Sequence, residues 1–561
     1  MKKCILSILL AVGLLIVGCG SASDSNVSEY LPAYYEHEIN EAEPSAPAYD
    51  EETENINGDD TENNYPAEAE NNYTTQTEDN NIEEDEPEVP SVSSEAPRNV
   101  IALSAASNHT LALMDDRTLW SWGAGGSDWG INGFIGDGTS EARLLPVMIM
   151  ENVIYAVAGP SHSLAITADG VLWAWGENQF GQLGDGTTQH RLSPVRVMED
   201  VIYATLPFSI PNSHVGCVSW RSYAIRADGT LWAWGYNNDE YASPWPLALG
   251  DGTNETRLTP VQILDNVISV APTSNGGYAL TADGRLWWWH GDIQIFSGSY
   301  GNEVEIIDAR LSPEPIMENV ADILNGFAIT TDGAWWELGL EPIRLMDNVG
   351  YAITDGRANF AITTDGTLWA WGQNRLPSHW RLDPILGDGT TIDRDAPVRI
   401  MENVASVTTM GSVTYAITKN GELWGWGNGA GGWRGGVLIG DGSTFSWADV
   451  EDYMGEIWDY GWEYSNGSQF QSGRIWLLDD DGGTGLRLSP VKIMENVVSV
   501  YPIYYMFDHG WINSFRTFAL TECGSVWAWG DNDVFSQGWG LLGDGTSERR
   551  YYPVRVIEGR G

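Results

Sequence analysis

From Asn99 onward the chain alternates apolar and polar residues in short runs, punctuated by Asp-Gly, Asn-Gly and Glu-Asn-Val. Residues 153–198 show the pattern in compact form. VIYAVA from Val153, SLAIT from Ser163, LWAWG from Leu172 and PVRVM from Pro194 each suit a strand, in which successive side chains point to opposite faces. Asp169-Gly170 joins the second run to the third, and Asp-Gly favours a two-residue hairpin turn because both positions accept positive φ. Along the third strand Trp173 and Trp175 share one face, while Leu172 and Ala174 share the other. Both faces are apolar, so the predicted four-stranded unit needs a neighbour on each side.

The unit recurs. Its third-strand marker appears as RTLWSWG at Arg117, DGVLWAWG at Asp169, DGTLWAWG at Asp228 and DGRLWWWH at Asp283. It returns as DGAWWELG at Asp332, DGTLWAWG at Asp365, NGELWGWG at Asn420 and CGSVWAWG at Cys523. A GDGT or GDGS marker follows at Gly136, Gly184, Gly250, Gly387, Gly440 and Gly543, and an Arg shortly before Pro-Val comes next, as from Arg191 to Val195. Four-stranded units stacked at a fixed repeat predict an all-β fold, a β-propeller, with each blade sandwiched between two others. The order ALTxDGxLWAWGxNxxGQLGDGT…R…PV resembles the repeat of the regulator of chromosome condensation family, and within it the secreted bacterial branch. The resemblance covers essentially all of residues 99–561 and implies a propeller, usually of seven blades. Eight units can be counted, the fifth (Val320 to Val349) much shortened, so seven and eight blades both stay open.

The first part of the chain reads differently. MKKCILSILLAVGLLIVGC has a charged start and an apolar core too short for an ordinary span, as a secretion signal does. Its end, Ile16-Val17-Gly18-Cys19, resembles a bacterial lipobox, which implies a signal peptide over residues 1–18 and lipidation of Cys19. Residues 19–98 are acidic and polar and cannot bury enough apolar surface to fold, so they read as a disordered tether. The expected location is the outer face of a bacterial membrane, anchored by the acyl group alone. A formal charge of -50 repels nucleic acid, so none is expected as a partner. Only Cys217 and Cys523 remain beyond Cys19; they form no metal cluster, and they fall on opposite faces of the predicted propeller, which argues against a disulfide.

Catalysis finds little support in the motifs. HExxH, GxSxG and GxxxxGK are absent. His109 and His162 open equivalent second strands, where a structural role is favoured. The Asp479-Asp480-Asp481-Gly482 run lacks the alternate spacing of a calcium loop and reads as a solvated turn. Equivalent GDG aspartates in several units point to a shared structural task, since an acid and a base need distinct environments. Arg191 is expected to pair with a nearby acid or carbonyl. No cofactor and no metal are expected, and the chain is read as not an enzyme. The resemblance does not bring over the founder's exchange activity or chromatin binding, because this chain is acidic and exported. Nor does it bring the light sensing of a plant branch: the repeated tryptophans are explained by packing, and the one GWR, Gly432 to Arg434, sits in a loop.

In an antiparallel meander the loops after first and third strands lie on one face, and those after second and fourth strands lie on the other. The second face is uniformly tight. The first takes every large insertion: Leu206 to Ser219, Tyr501 to Ser514, Gly125 to Phe134, Tyr236 to Ala248, Asn374 to Pro384, Asn428 to Val437 and Thr444 to Asp481. The tryptophans outside the strand motif fall there too: Trp129, Trp220, Trp245, Trp380, Trp433, Trp447, Trp458, Trp462, Trp476, Trp511 and Trp539. Tyr241, Tyr453, Tyr460, Tyr464, Tyr504 and Tyr505 join them. Aromatics on loops above a rigid scaffold suit a binding face, although long loops also fold aromatics back on themselves. The chain therefore reads as a monomeric, non-catalytic platform for an extracellular or envelope protein. Glycan binding is the alternative, and a hydrolase or lyase ranks third.

Overall fold

The computed structural model describes strands and tight turns between residues 99 and 560. Residues 1–98, 127–132, 208–219, 238–247, 298–302, 375–384, 429–438, 440–485, 508–511 and 533–538, with a few isolated positions, lie outside the described residues. The described strands form eight four-stranded antiparallel sheets, each built from one continuous stretch in chain order. Blade 1 comprises Val100–Ala105, His109–Met114, Leu119–Gly123 and Arg143–Met150. Blades 2 to 8 occupy residues 153–198, 201–264, 267–317, 320–346, 349–401, 404–494 and 497–557. First strands pack toward those of neighbouring blades, and blade 8 lies against blade 1, so the ring closes as an eight-bladed propeller. The count is eight because the short fifth unit is a complete blade: Val320–Leu324, Phe327–Thr330, Trp335–Glu337 and Ile343–Met346. Among the described residues, no helix is long and apolar enough to cross a membrane.

The Trp motif explains the stacking. The second large aromatic of the third strand is fully buried in blade after blade, as at Trp122, Trp175, Trp234, Trp289, Trp426 and Trp529. The first is half-buried, as the pattern of Leu172–Gly176 shows. Burying such a ring contributes roughly 2 to 3 kcal/mol. Trp122, Trp175, Trp234, Trp289 and Trp426 also meet the preceding blade or its return loop through the first glycine of GDG. A Cβ on Gly184 would stand 2.6 Å from Trp234 Nε1, and one on Gly543 would stand 2.5 Å from Trp122 Nε1. The glycine thus permits a close approach between blades, and its φ of 76° at Gly184 suits a residue without Cβ.

The tight face is a second repeated joint. Val153 N donates to Arg117 O at 2.9 Å, linking the first strand of blade 2 to the hairpin turn of blade 1. The same bond recurs from Val201 to Gly170, Val267 to Gly229, Val320 to Gly284, Val349 to Gly333, Val404 to Gly366 and Val497 to Gly421. Val100 N closes the series on Gly524 O at 3.1 Å. The connectors place Asn152, Asp200, Asn266, Asn319, Asn348, Asn403 and Asn496 at positive φ, a region that Asn and Asp tolerate. The next turn of chain holds a β-bulge. In each blade the second residue of the first strand is skipped in the pairing, as Ile101 between Val100 and Ala102, and Ile154 between Val153 and Tyr155.

One segment read as a loop is partly strand, and a further segment that was not singled out also forms strands. Tyr501 to Ser514 lengthens the first two strands of blade 8 to Val497–Phe507 and Ile512–Thr521. In blade 4 the segment after the third strand forms a hairpin of its own, Ile293–Ser297 paired with Glu303–Ile307.

Candidate binding faces of the ring

The GDG aspartates tie their own loops. Asp185 Oδ2 accepts from Arg191 Nε at 2.7 Å, and Oδ1 accepts from Thr187 N, Thr187 Oγ1 and Asn178 Nδ2. Asn178 is fully buried and its Oδ1 accepts from Leu183 N at 3.0 Å, so this side chain pins the loop on its return to the fourth strand. Equivalent pairs join Asp137 to Arg143, Asp251 to Arg257, Asp388 to Arg394 and Asp544 to Arg550. Desolvation opposes ionisation of Asp185, but the hydrogen bonds from Thr187 and Arg191 outweigh it and hold the carboxyl below its usual range. These carboxylates are each tied to an arginine of their own loop, which is a structural task. The expected partner of Arg191 is Asp185.

A belt of buried polar groups runs between blades at the starts of the second strands. His109 Nε2 bonds Ser163 Oγ of the next blade at 2.6 Å, and His162 Nε2 bonds Ser222 Oγ of the following one at 2.7 Å. In blades 3 and 8 the same register position holds Arg221 and Arg516, opposite Gly235 and Gly530 as His109 is opposite Gly123. Arg221 donates to Ala248 O and Thr273 O, and Arg516 donates to Ala106 O and Ser107 O across the closure. Burial pushes the imidazoles of His109 and His162 down to about 3, which keeps them neutral at ordinary pH. Their role is structural.

The insertion face begins where the third strands end. Glu177 follows Gly176 there and is buried, which pushes its carboxyl up to about 7. Asp531 holds the equivalent place in blade 8, where burial raises its carboxyl although Arg549 stands 2.5 Å away. Beside this margin Phe180, Trp220 and Tyr236 form one aromatic cluster, with ring centroids 4.2 Å apart for Phe180 and Trp220 and 4.9 Å for Phe180 and Tyr236. Trp220 was legible as a loop-face aromatic, but Phe180 and Tyr236 were not. Phe180 lies in a short return segment and Tyr236 directly follows a third strand, and only the three-dimensional meeting of blades 2 and 3 groups them.

Most of the predicted aromatic set lies outside the described residues: Trp129, Tyr241, Trp245, Trp380, Trp433, Trp447, Trp458, Trp462, Tyr464 and Trp511. So do Cys19, Cys217, Gly432 to Arg434 and Asp479 to Gly482. Tyr504 and Tyr505 stand in the lengthened strand of blade 8, paired with Phe515 and Ser514. Trp539 is partly buried against Ala124 and Leu541. Cys523 is a free, exposed thiol in the blade 8 turn; hydrogen bonds with Ser525 and Thr521 lower its pKa. Among the described residues, no His, Cys, Asp and Glu group is arranged to hold a metal ion.

Two models of the Regulator of chromosome condensation (RCC1) repeat match this chain, at residues 153–182 and 169–205, which span blade 2 and the first strand of blade 3. The ultraviolet-B receptor UVR8 of Arabidopsis thaliana is 26% identical over 364 residues, covering 62% of this chain and 70% of the receptor. The E3 ubiquitin-protein ligase HERC2 of Mus musculus is 29% identical over 223 residues, 37% of this chain but 4% of the ligase. The mitochondrial RCC1 domain-containing protein RUG3 of Arabidopsis thaliana is 27% identical over 342 residues, 58% of this chain and 65% of RUG3. Among solved structures, Prp20p from Saccharomyces cerevisiae aligns with 78% of this chain and 85% of its own, at 16% identity and a TM-score of 0.41. The chain spans only a small part of HERC2, and whole-protein activities do not come over with the match. The repeat models and the sequence relatives make this chain similar to proteins of RCC1 repeats.

Proposed function

We infer that this chain is a cell-surface lipoprotein whose propeller is a non-catalytic platform for an extracellular or envelope protein, bound through the insertion face. The carrying observation is the placement of the long segments. Residues 127–132, 208–219, 238–247, 375–384, 429–438, 440–485, 508–511 and 533–538 all fall between first and second or third and fourth strands. The opposite connections are short turns in every blade. A rigid ring that confines its variable segments, with their tryptophans and tyrosines, to one end is built for recognition. RCC1-like propellers typically serve as interaction or regulatory platforms, which agrees with this reading. Cys19 in the lipobox supplies the anchor, and residues 19–98 supply the reach from the membrane.

The test is an affinity capture from envelope material with the full-length chain, beside a Trp458→Ala/Trp462→Ala variant. Specific capture of one protein that the variant loses, with association slowed by salt, is the expected result. Equal capture by the folded variant sinks the assignment to the long insertion. Salt-insensitive binding to an arrayed glycan, with no protein captured, would replace the protein partner by a sugar. For the anchor, Cys19→Ser should move the protein from the membrane to the soluble fraction; unchanged partitioning would remove the lipid from the reading.

A further inference from the structure

The bulged residue in each first strand does more than bend the chain. At this one register position stand Ile101, Ile154, Ile202 and Ile268 in blades 1 to 4, and Val498 in blade 8. They are 55%, 42%, 54%, 47% and 51% exposed. Blades 5, 6 and 7 have Ala321, Gly350 and Ala405 instead. First strands are innermost, and each begins directly after a connector of the tight face. Five consecutive blades therefore set solvent-exposed β-branched side chains around the axis at the end opposite the insertions, and three set small ones. Single exposed isoleucines are ordinary, but the same exposure repeated at one register position in adjoining blades sets out an apolar crescent.

The surround is acidic. Every connector places a carboxylate just before its positive-φ residue, from Glu151 in blade 1 to Glu495 in blade 7, and the hairpin turns add others such as Asp115, Asp169 and Asp365. Several basic groups on this face are held in ion pairs, as Arg226 on Asp200 and Lys492 on both Glu422 and Glu495, while Lys419 donates to Asp365 O at 3.2 Å and Arg117 stands exposed in the blade 1 turn. Residues 20–97 contain no lysine or arginine, so the chain's own acidic segment is repelled from this surface. A second copy meets the same repulsion, since each chain carries a formal charge of -50.

We propose that the tight face is a second docking surface, on which a cationic protein segment seats an aliphatic side chain in the crescent of Ile101, Ile154, Ile202, Ile268 and Val498 while its lysines or arginines meet the acidic turns. Burying the apolar groups supplies affinity, and the charged rim supplies rate and selection. This surface is separate from the insertion face, so either assignment can fail without the other.

The experiment uses the full chain and a fluorescent peptide of leucines flanked by lysines, with serine-for-leucine and glutamate-for-lysine counterparts. The lysine–leucine peptide should bind, and both counterparts should bind at least about tenfold more weakly. The Ile101→Ser/Ile154→Ser/Ile202→Ser/Ile268→Ser variant should lose about tenfold or more in affinity while keeping its circular dichroism, since these side chains are already half in water. An Asp115→Asn/Glu151→Gln variant should flatten the salt dependence with the crescent intact, and Trp458→Ala/Trp462→Ala should leave binding unchanged. Undiminished binding by the isoleucine variant, or equal binding of the glutamate peptide, overturns the proposal. So does a photo-cross-linker at position 154 that captures residues 20–98 of the same chain in place of the peptide.

Discussion

Blade 8 meets blade 1 without a covalent connector, and Arg516 is the polar group that spans this seam. It is 1% exposed and donates from Nη2 to Ala106 O and Ser107 O, both at 2.6 Å. Replacing it by Met keeps most of the volume but removes a charged donor from two buried carbonyls. Hydrogen bonds from charged groups contribute roughly 1.5 to 3 kcal/mol each, and release of the buried cation from its desolvation cost offsets part of the loss. The net cost of Arg516→Met is thus about 2 to 3 kcal/mol, or roughly a 30- to 150-fold rise in seam opening. Amide hydrogen exchange reads this directly. Val100 N donates to Gly524 O and Arg560 N to Asn99 Oδ1 across the seam, while Val153 N and Val201 N donate to Arg117 O and Gly170 O at the joints that follow. The seam amides should exchange faster in the variant, and their counterparts should not. Equal acceleration at both joints would mean that Arg516 supports the ring as a whole, and no change at Val100 would remove it from the closure.

Acid should destabilise the ring through its buried histidines. With folded pKa values of about 3 against an ordinary value of 6.5, His109 and His162 stay neutral while the unfolded chain takes up protons. Stability therefore falls as pH drops from about 6.5 toward 3, by about 2 kcal/mol per histidine at pH 5. A His109→Gln/His162→Gln variant should flatten that slope in denaturant titrations; an unchanged slope refutes the assignment. Glu177 acts in the other direction, because burial raises its folded pKa to about 7 and the cost appears as pH rises from the unfolded value to that point. Glu177→Gln should gain about 3 kcal/mol at pH 7 and almost nothing at pH 4, and an equal gain at both would point to packing instead. Gly184→Ala combines a φ of 76° with a Cβ 2.6 Å from Trp234, whereas Gly326→Ala has a φ of 84° and open space. The first should lower stability by about 3 kcal/mol and the second by about 1, measured by thermal unfolding; equal losses would mean that Trp234 shifts freely.

Strand positions were legible because both signals behind them are local. Val153–Ala158 and Leu172–Gly176 begin and end where alternation and turn residues place them. Blade number was not, because Phe327–Thr330 and Trp335–Glu337 are short and their unit lacks GDG. Tyr501 to Ser514 looked like a loop because nothing in one chain announces that two extensions will pair; the register Tyr504↔Phe515 exists only once the hairpin folds. The interblade belt was hidden for another reason. One structural position holds His109, His162, Arg221 and Arg516, so no repeated letter marks it, and each residue's partner belongs to the next unit. The tight face was passed over because its connectors are short, yet its bulge repeats in all eight blades and turns a β-branched side chain into solvent in five of them.

Each blade is a single continuous segment, and no described strand is exchanged between the first and the last. The joint at Val100 and Gly524 is geometrically the same as the other seven, differing only in lacking a peptide link. Ring size is then set by the angle each wedge subtends and not by a clasp that must match two distant ends. A circular permutant that fuses the ends of the domain with a short linker and opens the chain at Asn152 would carry the same joints in the same order.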